Sequence, residues 1–258
     1  MPSLDDLLEE AAQRPLAGWD VSYGGRIVST KPWDFEAVVD TWIARSPDLL
    51  DMGTGGGEWL SRRPFPAGRT VATEGWPPNV PLAQARLSPR GATVIAVEGA
   101  PDNADQAGAA ELPALPFADG AFQLITNRHE AFVAAEVARV LAPGGRFLTQ
   151  QVGPDLAAPF RALLGDTPVP LPEPAWRLAM AIDQVHAAGL EVTSLGEGAA
   201  ELSFADVGAL AWYLLNVPWV LPDFSVARYS AALGALHAQG PINAPQPMFW
   251  LAARKPMA

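Results

Sequence analysis

The sequence predicts an α/β protein whose mostly parallel sheet carries helices on both faces. Three observations predict it. Short apolar runs alternate with segments of helical period along most of the chain. A glycine-rich turn, Gly53-Thr54-Gly55-Gly56-Gly57, closes the first core strand. Hydrophobic residues make up 49% of the 258, enough to bury a sizeable core and to exclude disorder for most of the length.

Residues 4–13 predict a short amphipathic helix, with Leu4, Leu7, Leu8 and Ala11 at helical spacing. A second helix is expected from Asp34 to Ala44, with Phe35, Val38, Val39 and Ile43 on one side. Asp48 to Met52 reads as a strand running into the glycine turn, and a helix is expected from Glu58. Thr70 to Thr73 is a strand ending at Glu74, followed by a helix from Pro81 to Leu87. Ala92–Val97 and Phe122–Thr126 are the third and fourth strands. Ala131 to Leu141 reads as a helix stopped by Pro143-Gly144-Gly145, with Arg146–Gln151 as the fifth strand. A helix over Glu173–Ala188 ends at Gly189, a sixth strand starts over Glu191–Leu195, and Met248–Ala253 is the seventh.

Two stretches stand outside this alternation. Residues 153–174, rich in proline and glycine, read as a loop. Residues 205–247 hold a hydrophobic helix (Asp206 to Leu215), then Pro218-Trp219 and Pro222-Asp223-Phe224, then a further helix to Ala238. The expected organisation is one domain over 1–258. It has an N-terminal helical segment at 1–44, a core of 45–204 plus 241–258, and a helical insertion at 205–240. That insertion is either a cap over a site or a packing element on the sheet edge.

Net charge is −11 and no basic run exceeds Arg62-Arg63, so nucleic acid is a disfavoured partner. The absence of cysteine excludes disulfides, thiolate nucleophiles and cysteine-type zinc sites. With only three histidines and no clustered carboxylates, no metal site is expected. The first residues are acidic and unlike a signal peptide. The longest apolar stretch, Val207–Leu221, is interrupted by Asn216 and Pro218 and is too short to span a bilayer. A cytoplasmic protein without a membrane partner is expected; the oligomeric state is left open.

The glycine turn is the most informative motif. Glycines between a strand and a helix let backbone amides approach a ligand. An acid closes the next strand, Glu74, about 20 residues on, where it can accept hydrogen bonds from ribose hydroxyls. The dinucleotide pattern G-x-G-x-x-G begins at Gly53 and Gly55 but meets Glu58 at its third glycine, so the pyrophosphate reading fails there. Asp51 instead suits a ligand bearing an ammonium group and no phosphate.

With Asp51, Gly53, Gly55 and Gly57 in place, the segment resembles the D-x-G-x-G-x-G signature of class I S-adenosylmethionine-dependent methyltransferases. Leu115-Pro116-Phe117-Ala118-Asp119-Gly120-Ala121-Phe122 is similar to that family's run before the fourth strand, with Gln123 replacing the usual acid. Glu136 to Gly145 is similar to its helix-turn before strand five, so the resemblance covers about residues 45–200 and the last strand. More narrowly, the chain resembles a group of uncharacterised bacterial methyltransferases through Asp51–Glu58, Ala72–Gly75, Asn127–Glu130, Thr149–Gly153, Pro218-Trp219 and Pro222-Asp223-Phe224.

The resemblance implies a Rossmann-like, seven-stranded sheet, with S-adenosylmethionine as cofactor and S-adenosylhomocysteine as product. It places Asp51 and the Gly53-Thr54-Gly55 backbone at the methionine part and Glu74 at the ribose. Gly75 and Trp76 border the adenine, with Asp102 and Asn103 as partners for its amino group; the alternative for Asp102 is a solvated loop acid. Asn127 closes the fourth strand beside the cofactor. His129 is the candidate catalytic base, or else it orients a backbone carbonyl. Glu130 orients it or, in preference, caps the following helix. Gln150 and Gln151 are acceptor contacts or edge-strand polar residues. Trp33, Trp212, Trp219 and Phe224 line an acceptor pocket or belong to the core. The expected activity is methyl transfer to a small-molecule O, N or C nucleophile; the alternatives are an RNA methyltransferase and a non-catalytic S-adenosylmethionine-binding protein.

Overall fold

The computed structural model describes residues 2–66, 68–108, 111–167, 169–171 and 173–257. The chain divides into two compact units. The larger comprises Trp33–Val152, Glu173–Glu197 and Met248–Ala258; the smaller comprises Met1–Pro32, Gly153–Pro172 and Gly198–Pro247.

Eight strands are present among the described residues, one more than expected: β1 (Ile27–Thr30), β2 (Asp48–Met52), β3 (Arg69–Glu74), β4 (Ala92–Ala96), β5 (Phe122–Arg128), β6 (Leu141–Val152), β7 (Glu191–Phe204) and β8 (Ile242–Arg254). In the larger unit the strands follow the order β7-β8-β6-β5-β2-β3-β4. Pairings from β6 across to β4 are parallel, and β8 runs antiparallel to β6. The additional strand belongs to the smaller unit, where β1 pairs antiparallel with the end of β7 (Ile27 opposite Phe204).

Residue alternation explains why helices cover both faces of the larger unit. Leu49, Ala72, Leu124 and Leu148 point to one side, where α2 (Phe35–Ile43) and α3 (Val80–Leu87) pack through Phe35, Val39, Ile43, Ala83 and Leu87. Their neighbours Leu50, Val71, Ile125 and Phe147 point to the other, against α4 (Ala134–Val140) and α6 (Leu178–Ala187). Asp34 caps α2 by accepting from the Ala37 amide at 2.9 Å.

Three expectations are corrected. The helix expected after Glu58 is a single 3₁₀ turn, Leu60–Arg62. Pro64 and Pro66 force the preceding backbone out of helical conformation, and Arg63 is already extended. The sixth strand continues nine residues beyond Leu195, to Phe204. Most of its first nine residues face solvent and Gly196 and Gly198 interrupt it, so the apolar alternation of Ala200, Leu202 and Phe204 at its end is cut off from the start that the sequence shows. The segment read as a loop contains α5 (Ala157–Leu163), which buries Phe160.

The smaller unit is built around α1 (Leu4–Gln13), α5, α7 (Val207–Asn216) and α8 (Ser230–Gln239), with Phe204, Leu210 and Trp212 in its core. Asp206 caps α7 and also binds Arg26, which reaches Glu10 on α1.

Candidate active site

The strand order reverses at β2, which has β3 on one side and β5 on the other. In doubly wound sheets the carboxyl ends of the strands at such a switch point leave a crevice. A cleft opens there. Met52 and Gly53 line it from the end of β2, Thr73 and Gly75 from β3, Val97–Ala100 from the loop after β4, and Glu130 and Ala131 from the loop after β5.

Two glycines are dictated by geometry. Gly53 has φ +65°, and a Cβ there would fall 2.5 Å from the Cβ of Glu130. At Gly75 a Cβ would meet backbone, 2.9 Å from the Gly99 amide nitrogen and 3.0 Å from the Val97 carbonyl oxygen. The loop after β4 therefore crosses directly over bare Cα, and neither position accepts a side chain without rearrangement.

The acids predicted for the cofactor lie around this turn. Asp51 is buried, accepts the Thr126 hydroxyl at 2.7 Å, and is pushed up by desolvation to about 6. Glu74 is buried at the end of β3. Its carboxylate accepts from the Gly55 amide at 2.6 Å and the Trp76 amide at 2.8 Å, tying the glycine turn to the turn after β3. Burial also raises the Glu74 carboxyl. Thr54 donates its amide to the Thr73 carbonyl at 2.9 Å, and the Trp76 ring is 64% exposed beside Gly75.

Asp102 and Asn103 lie outside the cleft lining. Asp102 accepts from the Ala104 amide within its own loop. Asn103 is buried, donating to the Phe132 carbonyl and the Gln184 side chain and accepting from the Phe132 amide. These bonds pin the loop after β4 to that after β5 and to α6.

Polar side chains at the ends of β5 and β6 bond to one another. Asn127 Oδ1 accepts from Thr149 Oγ1 at 2.9 Å and from Gln151 Nε2 at 2.6 Å. His129 has φ +60°, a left-handed conformation costly for a side chain with a Cβ, and its amide donates to the Gln150 carbonyl at 2.9 Å. The Trp33 indole N–H can only donate, and it reaches Gln150 Oε1 at 3.1 Å. That turns the Gln150 amide nitrogen toward His129 Nε2, 3.3 Å away, so Nε2 is the accepting nitrogen of the ring. Trp219 and Phe224 belong to the smaller unit, where they stack on Trp19 and Tyr229 at 5.6 Å and 5.8 Å.

Glu130 stands differently from the sequence expectation. The residue at the N-cap of α4 is Val133, without a side-chain cap. Glu130 instead lies in the cleft, and burial, aided by Glu74, pushes its carboxyl up to about 7. The sequence could place it beside His129 but not against Gly53, 77 residues earlier. Among the described residues there is no group of three or more His, Cys, Asp or Glu placed to hold a metal ion, and no helix long and apolar enough to cross a membrane.

No family model and no curated protein matches the chain. Solved structures do match. A candidate methyltransferase of Bacillus halodurans C-125 has a TM-score of 0.54 at 18% identity, over 87% of this chain and 99% of that one. An S-adenosylmethionine-dependent methyltransferase of Methanosarcina mazei has a TM-score of 0.50 at 11% identity, over 86% and 98%. The chain has the class I methyltransferase fold. The [4+2]-cyclase SpnF also matches, with a TM-score of 0.51 at 16% identity over 99% of this chain and 94% of that one. Identities this low speak for the fold and leave the chemistry to the residues of the cleft.

Proposed function

We propose that the cleft binds S-adenosylmethionine and that the protein transfers its methyl group to a small-molecule O, N or C nucleophile. The charge and shape of the lining carry this reading. Backbone is bared at Gly53 and Gly75, and the ionisable side chains among the described lining residues are Glu98, Glu130 and Glu136, all acids. A pyrophosphate is held by donors at a helix N-terminus. Here the glycine turn runs into a 3₁₀ turn rather than an α-helix, and carboxylates face the space. A ligand without phosphate and with positive charge fits these residues.

When bound, S-adenosylmethionine supplies an electrophilic methyl group on its sulfonium, so the protein's share is chiefly positioning. Glu74 serves the ribose, since its carboxylate, with about four lone-pair sites, keeps one after accepting from Gly55, Trp76 and Asn79. Trp76 offers an exposed ring beside the adenine end. His129 Nε2 takes a proton from a hydroxyl or amine acceptor, exchanging its long contact with Gln150 for the new one. A net charge of −11 supports a small acceptor over RNA.

Methyl-labelled S-adenosylmethionine, incubated with pools of small nucleophiles and separately with ribosomal RNA, tests this. Label in a small molecule is expected. Label in RNA alone overturns the acceptor class. Cofactor binding without any transfer supports a binding protein, or another chemistry on the same fold.

A further inference from the structure

We propose that Glu130 is the residue by which the cleft selects a ligand with surplus positive charge, pairing with the sulfonium of S-adenosylmethionine and finding no partner on the demethylated product. The proposal rests on the cofactor reading above. Its basis is where the side chain lies. Glu130 packs on the bare face of Gly53, its Cγ 2.6 Å from where a Cβ would stand, and its Oε1 is 3.0 Å from the same position on Gly99. The carboxyl thus bridges the glycine turn and the loop after β4 inside the lining.

The surrounding charges give it no cation. Glu74 acts on it from β3, and Glu98 from the loop after β4 and Glu136 from α4 share the lining. Arg139 is committed to Glu136 and Asp119. Arg128, two residues earlier, stacks on Trp59 at 4.8 Å, and His129 Nε2 is turned to Gln150. A carboxyl so placed is costly to ionise until a cation arrives, in keeping with its rise to about 7.

The amino-acid end of S-adenosylmethionine brings an ammonium and a carboxylate that balance each other. The sulfonium is the surplus charge, and S-adenosylhomocysteine lacks it. With its carboxyl raised to about 7, Glu130 is partly protonated at neutral pH, so pairing with a sulfonium releases protons on binding.

Calorimetric titration of the full chain with S-adenosylmethionine and S-adenosylhomocysteine, in two buffers of different ionisation enthalpy, reads both the affinity and the proton. The wild type is expected to bind S-adenosylmethionine about tenfold or more tighter than the product, with affinity falling up to about tenfold per pH unit below 7. Glu130→Gln is expected to erase the proton release and most of this preference while leaving product affinity unchanged. Glu130→Asp should be intermediate. Equal weakening of both ligands by Glu130→Gln, tighter cofactor binding, or unchanged proton release would overturn the proposal and leave the cofactor reading intact. Failure of both ligands to bind the wild type would overturn both.

Discussion

Around the glycine turn the buried ionisable groups are acids raised by burial, whereas at the ends of β5 and β6 buried amides and hydroxyls bond to one another. Asp51 and Glu130 are raised to about 6 and about 7 because burial disfavours their anions. Asn127 Oδ1, Thr149 and Gln151 bond to one another within 2.9 Å, and Trp33 fixes Gln150. The first region carries an electrostatic cost that the proposed cationic ligand would relieve. The second holds its geometry without a ligand. A site of this kind binds through one edge and positions through the other.

The largest effect that sharpens this contrast concerns Glu130 and pH. Its carboxyl rises from 4.5 to about 7 on folding, so the folded state holds the proton more tightly than the unfolded one. The neutral form costs nothing below pH 4.5; the fold loses stability as pH rises through 4.5 to 7, by on the order of 3 kcal/mol. Asp51 adds to the loss in the same direction between 3.8 and about 6. Glu130→Gln is therefore expected to melt higher than wild type at pH 8 and alike at pH 4. Thermal unfolding at both pH values checks it, and a variant less stable at pH 8 would break the contrast.

Gly75→Ala forces a Cβ into the Gly99 and Val97 backbone. We expect a stability loss of about 3 kcal/mol together with loss of cofactor binding, seen by chemical denaturation and titration. Asn103→Ala is expected to cost about 2 kcal/mol, because it strands the buried Phe132 amide and carbonyl, yet to change cofactor affinity only slightly. A selective loss of affinity without loss of stability would return Asn103 to the adenine subsite. The smallest effect is expected from Trp33→Phe. It removes the donor that orients Gln150, costs about 1 kcal/mol, and shifts the pH profile of turnover while leaving cofactor affinity in place.

Much of the fold is legible in the sequence where the physics is local. The Asp51–Gly57 segment signals a bare turn at the end of a buried strand, and the strands from β2 to β6 emerge from short apolar runs between breakers. β1 and the first nine residues of β7 are not legible, because they are mostly exposed and show no alternation, and the alternating end of β7 (Ala200, Leu202, Phe204) lies beyond the break at Gly196 and Gly198. The Glu58 helix fails because Pro64 and Pro66 outweigh the expectation set by the motif. Within the site, Glu74 is readable from its place at a strand end. The place of Glu130 against Gly53, and the engagement of Asn103 with Phe132, depend on contacts between loops far apart in the chain, which no spacing encodes.

The central claim is that an acid-lined cleft at the β2 switch point accepts S-adenosylmethionine and not a dinucleotide. Titration of the purified protein with S-adenosylmethionine, with NAD in a parallel run, tests it most directly. Saturable binding of S-adenosylmethionine, with no heat from NAD, is the predicted result. Binding of NAD, or no binding of S-adenosylmethionine at any pH from 6 to 8, would contradict it.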